Sequence, residues 1–178
     1  MNKMVKFPFS TRDVTLLAAF LTLMMVAEVV WVLGTIASNF FYGILFGAVL
    51  IIAAIVVGKK YTILTLGIVK TLIELFLAPM YGGTLVALSY LAGAIVMEVV
   101  LQFSGKYAAN KKMNIIGAVL YAFSSRLVAL LIVIFIYGMT LPKYLVVAYI
   151  AINMVTYAIG GFLGNKIGVK VKNTLESV

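Results

Sequence analysis

The stretch Lys70–Tyr90, KTLIELFLAPMYGGTLVALSY, joins two strongly apolar segments through a turn that contains Pro and Gly. Lys70 and Glu74 lie inside the first segment, and the second segment soon reaches Glu98. A charged residue near the centre of a membrane-spanning helix costs roughly 2.5–3.5 kcal/mol on insertion scales. The stretch therefore predicts two membrane helices whose internal charges serve a purpose.

The rest of the chain has the same apolar character. Of its 178 residues, 65% are hydrophobic and 11% are charged, and the mean hydropathy is +1.19. Soluble domains average about 45–50% apolar and about 25% charged residues, so the composition indicates an integral membrane protein. The sequence contains no Cys and no His, which excludes disulfides, Cys/His metal sites and His-based catalysis.

Six apolar segments follow one another, each long enough to cross a hydrocarbon core of about 30 Å as a helix. The first follows possible N-cap oxygens at Ser10, Thr11 and Asp13, and without a small-residue cleavage site it is interpreted as a retained helix. The segments span about Val14–Leu33, Phe41–Val57, Tyr61–Leu77, Thr84–Phe103, Met113–Tyr137 and Tyr144–Leu163. We expect an all-α bundle of six transmembrane helices, forming a single domain over residues 1–178.

Basic residues predict the orientation of this bundle. With the N-terminus inside, the outer loops contain only Lys143, while Lys70 and Arg126 lie within the membrane. The other eleven of the 14 basic residues are on the inner side: Lys3, Lys6, Arg12, Lys59, Lys60, Lys106, Lys111, Lys112, Lys166, Lys170 and Lys172. Such a bias places both termini in the cytoplasm and the protein in the cell membrane. It also explains the net charge of +9 through topology and anionic lipid, without nucleic acid.

The intramembrane charges allow two interpretations. Glu28 and Glu74 fall at similar heights in the outer leaflet, with Lys70 one turn below Glu74 on the same helix face. Lys70–Glu74 and Arg126–Glu98 could be structural ion pairs. Alternatively, the two outer carboxylates could bind amino or cationic groups of a ligand.

Aromatic and amide side chains favour the ligand-binding interpretation. Most outer tyrosines fit an interfacial belt, but several polar and aromatic residues are placed where they could line a pocket open to the outside. Flat rings, a cation–π-capable Trp and carboxylates would suit a small heteroaromatic ligand. The candidate substrate-binding residues are Glu28, Trp31, Glu74, Tyr81, Tyr90, Tyr149 and Asn153.

Small residues form a third pattern. Ala18, Ala19 and Thr22 lie on the inner half of the first segment, and Gly160, Gly161 and Gly164 lie on the sixth. Small residues at this spacing let helices approach closely. They could serve packing within the bundle or docking of another membrane protein.

With these features the chain resembles the substrate-binding S component of an energy-coupling-factor (ECF) vitamin transporter. Within that group, Gly67–Val100 is similar to the thiamine/hydroxymethylpyrimidine type, which pairs a Glu-bearing helix, a short Gly-containing outer turn and a second Glu-bearing helix. The matching positions here are Glu74, Pro79 to Gly83, and Glu98.

The resemblance implies a division of labour. An S component binds its vitamin from outside and docks on a transmembrane coupling subunit that two cytoplasmic ATPases drive. Ala18, Ala19 and Thr22 would form the docking face, although the family pattern has Ala where Thr22 stands. The sequence lacks the GxxxxGK[ST] phosphate-binding loop, so its energy would come from those partners.

The sequence therefore predicts a non-enzymatic S component without cofactor or metal, for thiamine, its pyrimidine moiety or another B-vitamin-like ligand. The turn Ala78–Gly83 would act as a lid. One rival is a proton-coupled secondary transporter that uses Glu74 and Glu98. The other is a small intramembrane enzyme or assembly factor, for which the sequence offers no metal-ligand cluster and no plausible nucleophile–base pair.

Overall fold

The computed structural model describes residues 9–33, 35–77 and 84–177, without the side chains of residues 31, 32, 35 and 36. All regular secondary structure in this part of the chain is helical, with no strand. The helices are α1 (Thr11–Ala27), α2 (Thr35–Val57), α3 (Thr62–Leu77), α4 (Leu88–Gln102), α5 (Lys111–Leu131) and α6 (Lys143–Glu176). A 3₁₀ turn at Glu28–Leu33 follows α1, another at Leu85–Ala87 precedes α4, and a π-helical turn at Ile132–Ile136 extends α5.

Five of these helical stretches are long and apolar enough to cross a membrane, so the protein is a membrane-embedded, multi-pass protein. They are Thr11–Val30, Ala37–Val57, Leu85–Gln102, Lys111–Ile136 and Lys143–Glu176. The α3 helix has 16 residues within the described part of the chain. Its crossing, which would be the sixth, and the cytoplasmic orientation of the termini stay predictions.

The start of α1 is anchored as its sequence predicts. Ser10 and Asp13 form a reciprocal capping box, in which the Ser10 N–H donates to Asp13 Oδ2 at 2.6 Å. The same carboxylate bonds Lys59 Nζ at 2.5 Å, so the α2–α3 turn is tied to the start of α1. Arg12 donates to the Leu175 carbonyl at 3.2 Å, so the start of α1 and the end of α6 lie on the same side of the bundle.

The α6 helix is longer than its apolar segment. The sequence predicted a span ending near Leu163, but the helix continues to Glu176. A prediction based on hydropathy ends the membrane span where Lys residues become frequent. The helix itself continues, because residues 164–176 contain no Pro to interrupt it.

Glycines decide where α6 packs tightly. A Cβ on Gly164 would lie 2.6 Å from the Ala48 carbonyl oxygen, and one on Gly160 would meet the backbone of Ile44. The two helices α2 and α6 therefore touch backbone to backbone along this half of α6. Toward its N-terminal end α6 has larger residues, most of them exposed, and this end separates from the bundle.

The core of the bundle is aromatic. Phe46 of α2 is fully buried and lies within 6.2 Å, between ring centroids, of four tyrosines. Two of these, Tyr121 and Tyr157, stack on each other at 5.7 Å. The remaining two, Tyr42 and Tyr90, extend from this cluster into the polar groups described next.

Candidate functional site

Lys70 is the centre of a buried ionic cluster. Its side chain has no exposed surface, and its Nζ lies 2.6 Å from Glu28 Oε1 and also bonds Glu74. Glu28 begins the 3₁₀ turn after α1, so the cluster joins α1 to α3. The i,i+4 pair was predicted, while the bond to Glu28 was not, because it depends on packing between helices. The carboxylate side chains of Glu28 and Glu74 keep 21% and 17% of their surface exposed.

Tyr90 connects this cluster to the aromatic core. Its hydroxyl donates to Glu28 Oε1 at 3.0 Å, and the Tyr42 hydroxyl donates to the Tyr90 oxygen at 3.4 Å. Lys70 Nζ lies 5.1 Å from the centroid of the Tyr90 ring and 3.1 Å from Met25 Sδ. Such contacts compensate part of the cost of burying an ammonium group.

A second polar group surrounds Arg126 of α5. Its Nε donates to Asn153 Oδ1 at 3.0 Å, and its guanidinium carbon lies 5.3 Å from the Tyr149 ring centroid. On the other side, the guanidinium lies 5.8 Å from the ring of Tyr42. Tyr42 and Tyr90 therefore link the Arg126 group on α5 and α6 to the Lys70 cluster on α1 and α3. We call this connected set the polar chain.

The polar chain is balanced in formal charge. Glu28 and Glu74 contribute two negative charges, and Lys70 and Arg126 contribute two positive ones. The negative excess lies at the Lys70 cluster and the positive excess at Arg126. A cationic ligand is thus not needed for the overall neutrality of these four groups.

A cavity of about 910 Å³ opens beside Arg126, between α5 and the separated end of α6. Asn39 and Phe40 of α2 and Val86 complete its wall. Most lining side chains are aliphatic, and the polar ones are Asn39, Arg126, Tyr149, Asn153 and Thr156. A largely apolar cavity with a few converging polar groups is typical of small-molecule sites, whose volumes run from about 300 to 1,000 Å³.

Glu98 belongs to a different part of the molecule, and the predicted Arg126–Glu98 pair is wrong. The Glu98 carboxylate accepts the backbone N–H groups of Tyr61 at 2.6 Å, Ile63 at 3.1 Å and Leu64 at 3.3 Å. It also accepts the Tyr107 hydroxyl at 2.8 Å. Glu98 therefore satisfies N–H groups at the start of α3, which have no acceptor within their own helix.

Tyr107 has a perturbed acidity as a result. It lies in the connection between α4 and α5 and is 8% exposed. Burial, together with the neighbouring Glu98 carboxylate, raises the pKa of the Tyr107 phenol well above its ordinary value of 10.0. The hydroxyl therefore stays a donor to Glu98 throughout the physiological range.

The predicted pocket divides into two groups in the structure. Glu28, Glu74 and Tyr90 come together around Lys70, whereas Tyr149 and Asn153 line the cavity with Arg126. Tyr81, the Trp31 side chain and the predicted lid Ala78–Gly83 lie outside the described residues. Asn153 has no exposed surface, and its Nδ2 donates to the Tyr149 carbonyl at 2.8 Å. Its amide is thus engaged by the protein and orients Arg126.

Sequence reasoning missed Arg126 and Tyr42 as site residues. The sequence suggests Arg126 only as a possible ion-pair partner of Glu98, and Tyr42 is not among the candidate substrate-binding residues. A usable signal was the pair Arg126 and Asn153 on consecutive helices at comparable depth.

The two sets of small residues have different surroundings. Gly160, Gly161 and Gly164 are buried against α2 and α5, so they serve packing within the bundle. Ala18, Ala19 and Thr22 are exposed on α1, and the Thr22 hydroxyl donates to the Ala18 carbonyl at 3.0 Å. Because that bond satisfies the hydroxyl within the helix, the α1 face is free of unpaired polar groups.

Comparison with family models, curated proteins and solved structures gives no match. Among the described residues, no group of three or more acidic, His or Cys side chains could hold a metal ion. The cavity and the polar chain are therefore the features that indicate a function.

Proposed function

We propose that the protein is the substrate-binding S component of an ATP-driven ECF transporter in the cell membrane. Its substrate is a small, nitrogen-heterocyclic vitamin or precursor, with thiamine or its pyrimidine moiety as the first candidate and other B-vitamin-like compounds as alternatives. The observation that carries this proposal is the cavity of about 910 Å³ within a membrane bundle, with a guanidinium in its wall.

The chemistry around the cavity supports binding of a heteroaromatic solute. Tyr149 offers a ring face, and the aliphatic walls of α5 and α6 exclude water from the ligand's body. Glu28 and Glu74 do not line the cavity, but their partly exposed carboxylates in the neighbouring Lys70 cluster retain one negative charge beyond Lys70, which suits amino substituents of a heterocycle. Trp31 and Tyr81 stay in the proposal as ligand-binding residues.

The exposed face of α1 supports the partner assignment. Ala18, Ala19 and Thr22 provide a surface without bulky side chains, on which a helix of a coupling subunit could pack closely. Transport energy would come from two ATPases bound to that subunit. The protein itself would carry out binding and release rather than catalysis.

Ligand-dependent thermal stability tests this proposal. The purified protein is heated with each member of a panel of B-vitamins and precursors, including thiamine and hydroxymethylpyrimidine. A ligand at about 1,000 times its Kd stabilises the folded state by about 4 kcal/mol, so one compound should raise the Tm clearly. Glu74→Gln should weaken its binding, while Lys172→Gln at the other end of the bundle should not.

A proton-coupled transporter is the second candidate, favoured by the titratable cluster of Glu28, Glu74 and Lys70. It would accumulate substrate in sealed vesicles that contain no ATPase, driven by a pH gradient. The S-component proposal predicts no accumulation in such vesicles and ATP-dependent uptake once the coupling subunit and ATPases are added.

A further inference from the structure

Arg126 has more hydrogen-bond donors than the described part of the chain uses. A guanidinium carries five N–H donors and stays charged under all physiological conditions. Among the described residues, the Nε of Arg126 donates to Asn153 Oδ1 at 3.0 Å, and no described acceptor bonds its Nη atoms. None of the salt bridges formed by described residues includes Arg126.

The unused edge of Arg126 is held in position. Asn153 is fully buried and is itself fixed by its bond to the Tyr149 carbonyl. The rings of Tyr42 and Tyr149 lie within 5.8 Å of the guanidinium carbon. A planar group held at its Nε and bounded by two rings cannot turn freely, so its Nη edge has a defined place in the cavity wall.

No carboxylate among the described residues lies within salt-bridge distance of the Arg126 guanidinium. Glu28 and Glu74, the nearest candidates along the polar chain, bind Lys70 and are separated from Arg126 by Tyr42 and Tyr90. Ring contacts offset only part of the cost of a desolvated charge. An anion in the cavity would neutralise this charge locally and accept hydrogen bonds from the remaining N–H groups.

We infer that the cavity binds an organic anion, with a carboxylate or phosphate group on the Nη edge of Arg126 and an apolar or heteroaromatic body between α5 and α6. Arg126 matches these two groups because its parallel N–H donors fit paired oxygens. Asn153 acts as a positioning residue. The inference rests on the proposed function and changes its first candidate: vitamins or precursors that carry a carboxylate or phosphate take the place of unmodified thiamine and its pyrimidine moiety.

Matched pairs of acidic and neutral compounds test the inference on the wild-type protein. The protein, in an uncharged detergent, is heated with nicotinate and nicotinamide, pantothenate and panthenol, biotin and biotinamide, and thiamine phosphate and thiamine. At least one acid should raise the Tm, and its neutral or cationic counterpart should bind about ten- to a hundredfold more weakly, the range expected for a hydrogen bond to a charged group.

Variants then assign the anion to Arg126. Arg126→Gln should remove the preference for the acid, and Arg126→Lys, which keeps the charge but not the paired donors, should retain part of it. Lys143→Gln is the matched control, because this exposed cation at the start of α6 is outside the cavity wall. If Arg126→Gln fails to fold, the comparison of wild type with Arg126→Lys still decides the question.

Each remaining outcome has one meaning. Equal binding of acid and neutral partner, unaffected at Arg126, would overturn the anion inference and leave the proposed function standing. Arg126-dependent binding of an acid without ATP-driven uptake would support the inference and refute the proposed function. If no acid binds, the inference fails. Stabilisation by phosphatidylglycerol over phosphatidylcholine nanodiscs would in that case assign the cavity to a lipid headgroup.

Discussion

Lys70 Nζ lies 2.6 Å from Glu28 Oε1, and the lysine side chain is fully buried between α1 and α3. This bond joins two elements that are 42 positions apart in the sequence and neutralises one of two carboxylates that share the site. Testable consequences arise for this contact, for the Tyr107–Glu98 bond, for two glycines and for the exposed face of α1.

Removal of Lys70 should destabilise the protein strongly. Lys70→Met leaves Glu28 and Glu74 facing each other without a cation, and breaking a buried pair from one side costs about 3–5 kcal/mol. The double variant Lys70→Met/Glu74→Gln restores the original charge of the cluster and should recover a large part of that loss. Thermal unfolding in detergent measures both.

The control for this experiment is Lys172→Gln. Lys172 and Glu176 form a pair at 4.0 Å in which the Glu side chain is 64% exposed, so its loss should change stability by less than about 0.5 kcal/mol. A double variant no more stable than Lys70→Met would show that charge compensation is not the role of this lysine.

Alkaline pH should reveal the bond between Tyr107 and Glu98. The pKa of Tyr107 is raised in the folded protein. The protonated phenol therefore contributes fully to the free energy of unfolding below the unfolded pKa of about 10, and this contribution is lost as the pH rises above that value. Between pH 10 and 11 the free energy of unfolding of the wild type should fall by about 1 kcal/mol more than that of Tyr107→Phe. Other buried tyrosines titrate in both proteins and cancel in this difference. Parallel stability curves would contradict the assignment.

Two glycines should respond in opposite ways to alanine. The Cβ of Gly164→Ala would meet the Ala48 backbone, with the carbonyl oxygen at 2.6 Å and Cα at 2.8 Å. Because a backbone cannot rotate away, we expect a loss of about 1–3 kcal/mol from overpacking. At Gly117 the nearest atom would be Met97 Cγ at 3.4 Å, an ordinary contact. Gly117→Ala should therefore be neutral or gain up to about 1 kcal/mol in helix propensity. Equal Tm changes would show that α2 and α6 do not touch as described.

The exposed small-residue face of α1 should matter for coupling and not for stability. Ala19→Trp adds a large side chain to an exposed position, so the Tm and ligand affinity should stay unchanged. Within the proposed function, co-purification with the coupling subunit and ATP-driven uptake should fall by at least about tenfold. Ile95→Trp, at a 47% exposed position on α4, is the matched control. Equal effects of both variants would place the docking surface elsewhere.

Much of the fold could be predicted from the sequence because hydropathy and helix length are local properties. The described helices coincide with the six predicted segments, apart from their ends. The 3₁₀ turn at Glu28 was not predictable, because it depends on how the end of α1 packs on α2. Nor was the extension of α6, since a polar helix outside an apolar segment leaves no hydropathy signal.

The site was predicted less completely, and the reason is the range of the contacts. Lys70 and Glu74 are one turn apart on a single helix, so their pair could be read from the sequence. Glu98 was misassigned because a carboxylate among apolar residues suggested a basic partner, whereas backbone N–H groups of another helix satisfy it. Arg126 and Asn153 lie at comparable depth on consecutive helices, which makes a contact possible, but their hydrogen bond depends on how α5 and α6 pack.

Whether a buried charge has its partner on the same helix also affects how the helices insert into the membrane during synthesis. Lys70 and Glu74 neutralise each other within α3, so this helix can leave the translocation channel as a nearly neutral unit as soon as it is synthesised. The Arg126 side chain has its described amide partner on α6, which is synthesised after α5. Until α6 is inserted, the Arg126 Nε lacks this acceptor, so we expect the two helices to insert together as one hairpin. The cavity between them can form only when both helices are in place.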